Sequence, residues 1–223
     1  MSSKTVLCFS GGLDSTILLY HLIKKNDDIT CLNFSYGAKH NLQEKAHAQA
    51  LCSKFSIPLI DIELPFVDKL FKSDLLTSTA ASITGEKRTT ELKKKMVVPG
   101  RNTIMLSIAL GFAESLDAEQ IAIANHADDH NIFPDTRPEW VASMTLLAYH
   151  ATEKHIKVYA PFAAWTKAEI CRYGSELGVP FENTWTCYLG KKHHCGNCDA
   201  CLERKKSFLK SALPDPTHYE GLE

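Results

Sequence analysis

Apolar runs long enough to cross a bilayer are missing from this chain of 223 residues, since none approaches the ~20 residues of a spanning helix. An excess of either charge is missing too. Lys and Arg total 25 against 26 Asp and Glu, a formal net charge of -1, so nothing in the composition drives the chain toward nucleic acid. Lys93-Lys94-Lys95 is the only lysine triplet and reads as solvated surface. Internal repeats and low-complexity linkers are absent. No signal peptide or transit segment is visible ahead of the first strand-like run, which makes the cytoplasm the expected compartment.

What is present suits one well-buried α/β unit with a small appendage, since 44% of residues are hydrophobic and 23% charged. Short apolar runs at Val6 to Phe9, Ile29 to Phe34, Leu59 to Leu64 and Ile121 to Ala124 alternate with helix-length stretches. That rhythm predicts a doubly wound parallel sheet, Rossmann-like, with ligands bound beyond the carboxyl ends of its strands. The segments after the first, second and fourth strands should converge there. Asn41 with Glu44, and Thr166 with Glu169, have capping-box spacing, and Pro99-Gly100 precedes a helical run through Leu116. Lys72 to Lys95, rich in Ser, Thr and Lys, is expected to be a mobile loop.

Between the first strand and its helix stands Ser10-Gly11-Gly12-Leu13-Asp14-Ser15-Thr16. A glycine and hydroxyl turn opening a helix presents backbone N–H groups at a positive dipole end, which is a phosphate cradle. It has no Walker lysine and not the G-x-x-x-x-G-K-[ST] spacing. The pattern S-G-G-x-D-S resembles the PP-loop of ATP pyrophosphatases, which implies a grip on the β,γ-pyrophosphate and transfer of an adenylyl group to a substrate oxygen.

Cys187, Cys195, Cys198 and Cys201 form C-x7-C-x2-C-x2-C near the other end. Two tight C-x2-C turns and a fourth thiol can place four sulfurs around zinc at ~2.3 Å, a closed and therefore structural site. An iron-sulfur cluster is the rival occupant, and disulfides are disfavoured in a cytosolic chain. His193 or His194 could replace one thiolate, although adjacent histidines are commonly exposed surface. Cys8, Cys31, Cys52 and Cys171 read as small core residues.

Taken in order, the PP-loop, Tyr36-Gly37-Ala38-Lys39-His40, Val98-Pro99-Gly100-Arg101-Asn102-Thr103, Phe133-Pro134-Asp135-Thr136-Arg137-Pro138-Glu139, Thr166-Lys167-Ala168-Glu169-Ile170, Thr184-Trp185-Thr186-Cys187-Tyr188 and the cysteine cluster resemble the 7-cyano-7-deazaguanine synthase family of queuosine biosynthesis. Ala124 and Thr136 stand where that family usually has Gly and Cys, and His126 also departs from its pattern. The resemblance implies an adenine nucleotide alpha-hydrolase-like fold over residues 1–180 and a small C-terminal zinc-binding subdomain over 181–223. It implies an AMP-forming ligase that uses ATP and Mg2+ to turn 7-carboxy-7-deazaguanine and ammonia into a nitrile through an adenylated acid and an adenylated amide. Free ammonium is the expected nitrogen source, because no length is left for a glutaminase domain. A homodimer is the expected assembly, with neither membrane nor nucleic acid as partner.

Phe9, Ser10, Gly11, Gly12, Leu13, Asp14, Ser15 and Thr16 would then bind ATP, with Asp14 holding the loop or helping to place magnesium. Asp14, Ser15, Arg101 and Lys167 are the candidate catalytic residues, the two cations neutralising phosphate unless they form ordinary surface ion pairs. Tyr36, Arg101, Asp135, Arg137 and Glu139 are the candidate substrate residues. A carboxylate accepts from a guanine-like edge and arginine forks onto a carboxylate, whereas an Asp-Arg pair can equally clasp a loop. Tyr36 and Trp185 would stack on a base or belong to the core. A tRNA-modifying transferase, an enzyme joining a deazaguanine acid to another amine, and a zinc-stapled nucleotide-binding module remain as alternatives.

Overall fold

The computed structural model describes residues 2–79, 83–84 and 89–220. Five strands, β1 (Lys4–Cys8), β2 (Asp28–Ser35), β3 (Leu59–Glu63), β4 (Gln120–Ala122) and β5 (Lys157–Tyr159), form one sheet in the order β3-β2-β1-β4-β5. Every pairing is parallel, with Val6 opposite Thr30 on one side and Ile121 on the other. Eight α-helices occur among the described residues: α1 (Leu13–Lys24), α2 (Asn41–Phe55), α3 (Pro65–Leu70), α4 (Thr90–Lys94), α5 (Arg101–Ser115), α6 (Pro138–Ala151), α7 (Lys167–Glu176) and α8 (Asp199–Ser211).

Because successive strand residues face opposite ways, β1 feeds two cores. Val6 joins Leu32, Ile121 and the α5 and α6 residues Leu106, Ala109 and Met144 on one face. Leu7 joins Cys31, Ala122 and the α1 residues Ile17, Leu18 and Leu22 on the other. Phe208 of α8 lies in that second core, so the C-terminal segment is packed into the main body. Each buried Val, Leu, Ile, Met or Phe among them contributes about 1.5–3 kcal/mol of hydrophobic stabilisation.

The chain runs outward from β1 through β2 to β3, then returns to lay β4 on the opposite side of β1. Strand order therefore reverses between β1 and β4, which opens a crevice at their carboxyl ends.

Three sequence expectations change here. Asn41 and Glu44 form no capping box: His40 is the N-cap of α2 without a side-chain cap bond. The Asn41 amide is taken by the preceding turn, its Oδ1 accepting from Tyr36 N–H at 3.0 Å and Ala38 N–H at 2.8 Å while its Nδ2 donates to the Phe34 carbonyl. The described part of 72–95 is anchored, since Leu75, Leu76 and Ile83 are fully buried and Lys39 N–H and Thr77 N–H bond the Leu75 and Gly37 carbonyls; residues 80–82 and 85–88 of that expected loop lie outside the described residues. Strand β5 leaves no signal in the sequence, because Lys157-Val158-Tyr159 is only partly buried, whereas β4 of the same length is fully buried. Thr166 and Glu169 do form a reciprocal capping box at α7.

Candidate active site

The loop after β1 is built for close approach. Gly11 has φ +75, and a Cβ there would stand 2.6 Å from the Ala48 backbone nitrogen and 2.7 Å from the Glu44 carbonyl oxygen. Glycine is required on both counts. No side chain caps the N-terminus of α1 at Gly12, which leaves its first N–H groups free for an anion. Ser10 Oγ accepts from Gly12 N–H at 3.1 Å and lies 3.2 Å from Ser15 Oγ. The far wall is tied to this loop, for Trp185 N–H donates to the Gly11 carbonyl at 3.0 Å.

The crevice has a volume of about 240 Å³. Of the residues singled out in the sequence, Phe9, Ser10, Gly12, Leu13, Asp14, Ser15, Tyr36, Arg101, Lys167 and Trp185 line it. Gly11 and Thr16 shape the loop from behind, Thr16 fully buried with its hydroxyl unpartnered among the described residues. Cys8, expected as plain core, is only half-buried and lines the crevice, and burial pushes its thiol up to about 12.

Lys167 Nζ sits 3.2 Å from Asp14 Oδ2 and 3.0 Å from Glu203 Oε2, while its backbone N–H is held by Asp128. His126 Nε2 is 3.6 Å from Asp14 and 3.5 Å from Asp129. Burial alone would lower the His126 pKa, but Asp129 and Asp14 outweigh it and raise the ring to about 9. Burial likewise opposes the charge on Asp14, yet Lys167 and then His126 hold that carboxyl well below the usual carboxylate range. Three carboxylates thus surround two cations, and desolvation makes each depend on its partners.

On the opposite wall Arg101 Nη1 donates to the Tyr36 hydroxyl at 3.1 Å, with its guanidinium 5.7 Å from the Tyr36 ring. Burial works against the Arg101 charge, but Tyr36 and Asp135 hold it firmly protonated. Beside it are His40, Glu44 and Tyr188.

The structure does not bring Asp135, Arg137 and Glu139 into the lining. Asp135 is occupied at the start of α5, where its Oδ2 accepts from Asn102 N–H at 2.8 Å and its carbonyl accepts from Asn102 Nδ2 at 2.9 Å. Arg137 is exposed with its Nε on the His130 carbonyl, and Glu139 is exposed in the first turn of α6. Glu44, His126, Asp129, Glu203 and Tyr188 went unnoticed in the sequence as site residues. Glu44 sits four residues beyond His40 of the loop that already pointed at the crevice, His126 and Asp129 lie in the segment after the fourth strand that did the same, Tyr188 closes the Thr184 to Tyr188 motif, and Glu203 is gathered by the fold alone.

The sulfurs of Cys187, Cys195, Cys198 and Cys201 lie within 4.8 Å of one another. Three of the four are fully buried, and the N–H groups of Cys195 and Cys198 approach Cys187 Sγ and Cys195 Sγ at 3.4 and 3.3 Å. Four soft donors collected in a dry pocket fit a metal such as zinc. His194 is not the exposed residue its position suggested: it is buried, packs at a tilt with its ring centroid 4.3 Å from that of Trp185 and accepts from Thr186 N–H through Nε2.

A parallel sheet with an uncapped Gly-Gly loop at its switch point, facing buried cations, defines a PP-loop nucleotide-binding enzyme. The fold agrees with the solved structure of NMN synthetase from Francisella tularensis, to which the chain is 14% identical with a TM-score of 0.53, covering 96% of this chain and 79% of that one. Residues 4–212 match the model of the family described as Queuosine biosynthesis protein QueC. The chain is 39% identical over 217 residues to 7-cyano-7-deazaguanine synthase of Porphyromonas gingivalis, spanning 97% of each. It is 39% identical over 215 residues to the enzyme of that name from Desulfotalea psychrophila, spanning 96% of this chain and 98% of the other. The chain belongs to the QueC family.

Proposed function

We propose that this chain converts 7-carboxy-7-deazaguanine and ammonia into 7-cyano-7-deazaguanine, with two ATP cleaved to AMP and pyrophosphate. The observation that carries this reading is the nearly end-to-end similarity to relatives bearing that name, in a chain whose crevice gathers the loop, Arg101 and Lys167.

Oxide cannot leave from a carboxylate or an amide at neutral pH, so each oxygen must first be adenylated. The uncapped N–H groups in the first turn of α1, with Ser10 and Ser15, would hold the pyrophosphate of ATP. Lys167 and Arg101 would offset its charge as the substrate oxygen attacks the α-phosphate and pyrophosphate leaves. Positioning and charge are the protein's main contributions. Tyr36 and Trp185 would flank a planar ring. Magnesium would bind at Asp14, whose Oδ1 is buried without a partner among the described residues, and would supply charge neutralisation at the phosphates. Asp135, Arg137 and Glu139 would reach substrate only if the start of α6 moved toward the crevice.

Zinc on the four cysteines would be structural, with no position left for water, and 181–223 would act as a metal-binding segment packed on 1–180. A homodimer suits α6, which exposes Leu146, Leu147 and Tyr149 at 61%, 46% and 49%. No helix of the described residues is long and apolar enough to cross a membrane, in keeping with a cytoplasmic enzyme. The test is incubation with ATP, magnesium, ammonium and 7-carboxy-7-deazaguanine, following product mass and AMP. Nitrile with two AMP per molecule is expected. Pyrophosphate release that stops at the adenylate, with neither AMP nor amide formed from ammonium, would replace ammonia by another amine acceptor.

A further inference from the structure

We infer that Glu44 is the base that takes a proton from ammonium in the crevice, making the ammonia that attacks the adenylated acid. The inference rests on the reaction proposed above.

Ammonium has no lone pair and is the dominant form at neutral pH. The adenylate therefore needs a site that attracts the cation, keeps it beside the reacting carbonyl and removes one proton. Few residues of the lining offer this. Glu44 projects from the first turn of α2 into the crevice, and with Asn41 diverted to the preceding turn its carboxylate is not spent on a helix cap. Its side chain is 19% exposed and lines the crevice, so it keeps contact with solvent.

Its surroundings suit a small cation. Tyr36, His40 and Tyr188 line the same wall, with ring centroids 6.5 Å apart for Tyr36 and His40 and 5.4 Å for His40 and Tyr188. Aromatic faces beside one carboxylate attract ammonium-type ions. His40 Nε2 stands 3.7 Å from Glu44 Oε2, too far for a hydrogen bond, and its buried Nδ1 has no partner among the described residues. Burial, and then Arg101, lower the His40 pKa to about 4, so the ring is a neutral neighbour and not a counter-ion.

The charged and titratable groups facing Glu44 are Arg101 from α5, His40 from its own N-cap and Tyr36 from the loop after β2. Burial raises the Glu44 pKa to about 8 against the pull of Arg101. A base so placed is matched to ammonium, whereas an ordinary carboxylate is too weak. The other crevice carboxylates are committed to ion pairs: Asp14 is held by Lys167 and His126 as a weak base, Asp129 faces His126 and Glu203 bonds Lys167.

The step balances. Ammonium gives one proton to the Glu44 carboxylate, and the nitrogen lone pair forms the C–N bond. The carbon–oxygen bond to AMP breaks with its electron pair leaving on AMP. The second N–H proton passes to water as the amide forms, and Glu44 returns its own proton to solvent through the crevice mouth.

Hydroxylamine tests this, because it is already neutral at neutral pH and needs no base before it attacks. With ATP, magnesium and 7-carboxy-7-deazaguanine, Glu44→Gln is expected to keep acid-dependent ATP–pyrophosphate exchange and hydroxamate formation within about threefold of the unaltered protein. It should form amide from ammonium about 100-fold more slowly. Raising the pH to roughly 9, where free ammonia is plentiful, should restore most of that loss, and Glu44→Asp should retain an intermediate rate. Equal losses with both amines would overturn the inference. So would a raised KM for the acid in the exchange assay, which would make Glu44 a contact of the deazaguanine ring. Absence of exchange in the unaltered protein would instead overturn the underlying reaction, and the inference with it.

Discussion

Glu44 illustrates at the residue scale how a site is held at a cost to the fold. Its folded pKa of about 8 lies above the ordinary 4.5, so between those values the folded chain binds a proton that the unfolded chain has lost. Stability contributed by the neutral form is complete below about 4.5 and declines as pH rises through about 8. Glutamine cannot ionise and escapes this loss. Glu44→Gln should match the unaltered protein near pH 4.5 and exceed it above about pH 8 by on the order of 2 kcal/mol, the remaining solvent contact reducing the full linkage value. Urea unfolding across pH measures the difference, and parallel curves would show that the carboxyl is well solvated. Sequence pattern made Ser10, Asp14, Arg101 and Lys167 visible because each stands in a recognisable local motif. Glu203 carries no such mark and His126 stands out only as a departure from the family pattern, since their meaning comes from Lys167 and Asp14 beside them.

Elements were more legible than their edges. The four longer strand signals and the helices after Gly12, Pro99-Gly100 and Thr166 follow from local chemistry, whereas β5 depends on pairing with β4. The Asp135 carboxylate looked equally suited to a ligand or a loop clasp, and the start of α5 claims it in the present arrangement. Contact between the β1 loop and α2 gives a test at this scale. Gly11→Ala combines a left-handed backbone with overlap against two α2 backbone atoms, and should cost about 3 kcal/mol and lower Tm by about 9 °C. Gly178→Ala is the control, as Gly178 has φ +70 with nothing within 4 Å of its added Cβ. It should cost only ~1–2 kcal/mol. Similar melting shifts for the two would mean that the loop and α2 separate easily.

Across the whole molecule, the cysteine segment is joined to the nucleotide loop through Trp185. Buried Arg204 braces that segment by donating to Thr184 Oγ1, Thr186 Oγ1 and the Phe181 carbonyl at 2.8 to 2.9 Å. Elemental analysis should find one zinc per chain, and iron would overturn that assignment. Chelation should destabilise the chain by several kcal/mol, change Trp185 fluorescence and weaken ATP binding by at least about tenfold. ATP affinity that survives metal loss would show the Trp185 to Gly11 contact to be passive.

The crevice lining combines residues 8 to 44 with residues 185 to 203, far along the chain, which has a consequence for the ribosome. At ~5–20 residues per second, on the order of ten seconds separate synthesis of Glu44 from synthesis of Trp185. The first three strands can pair during that interval, while the pocket still lacks a side. A nascent chain can therefore gain its scaffold well before it can hold ATP.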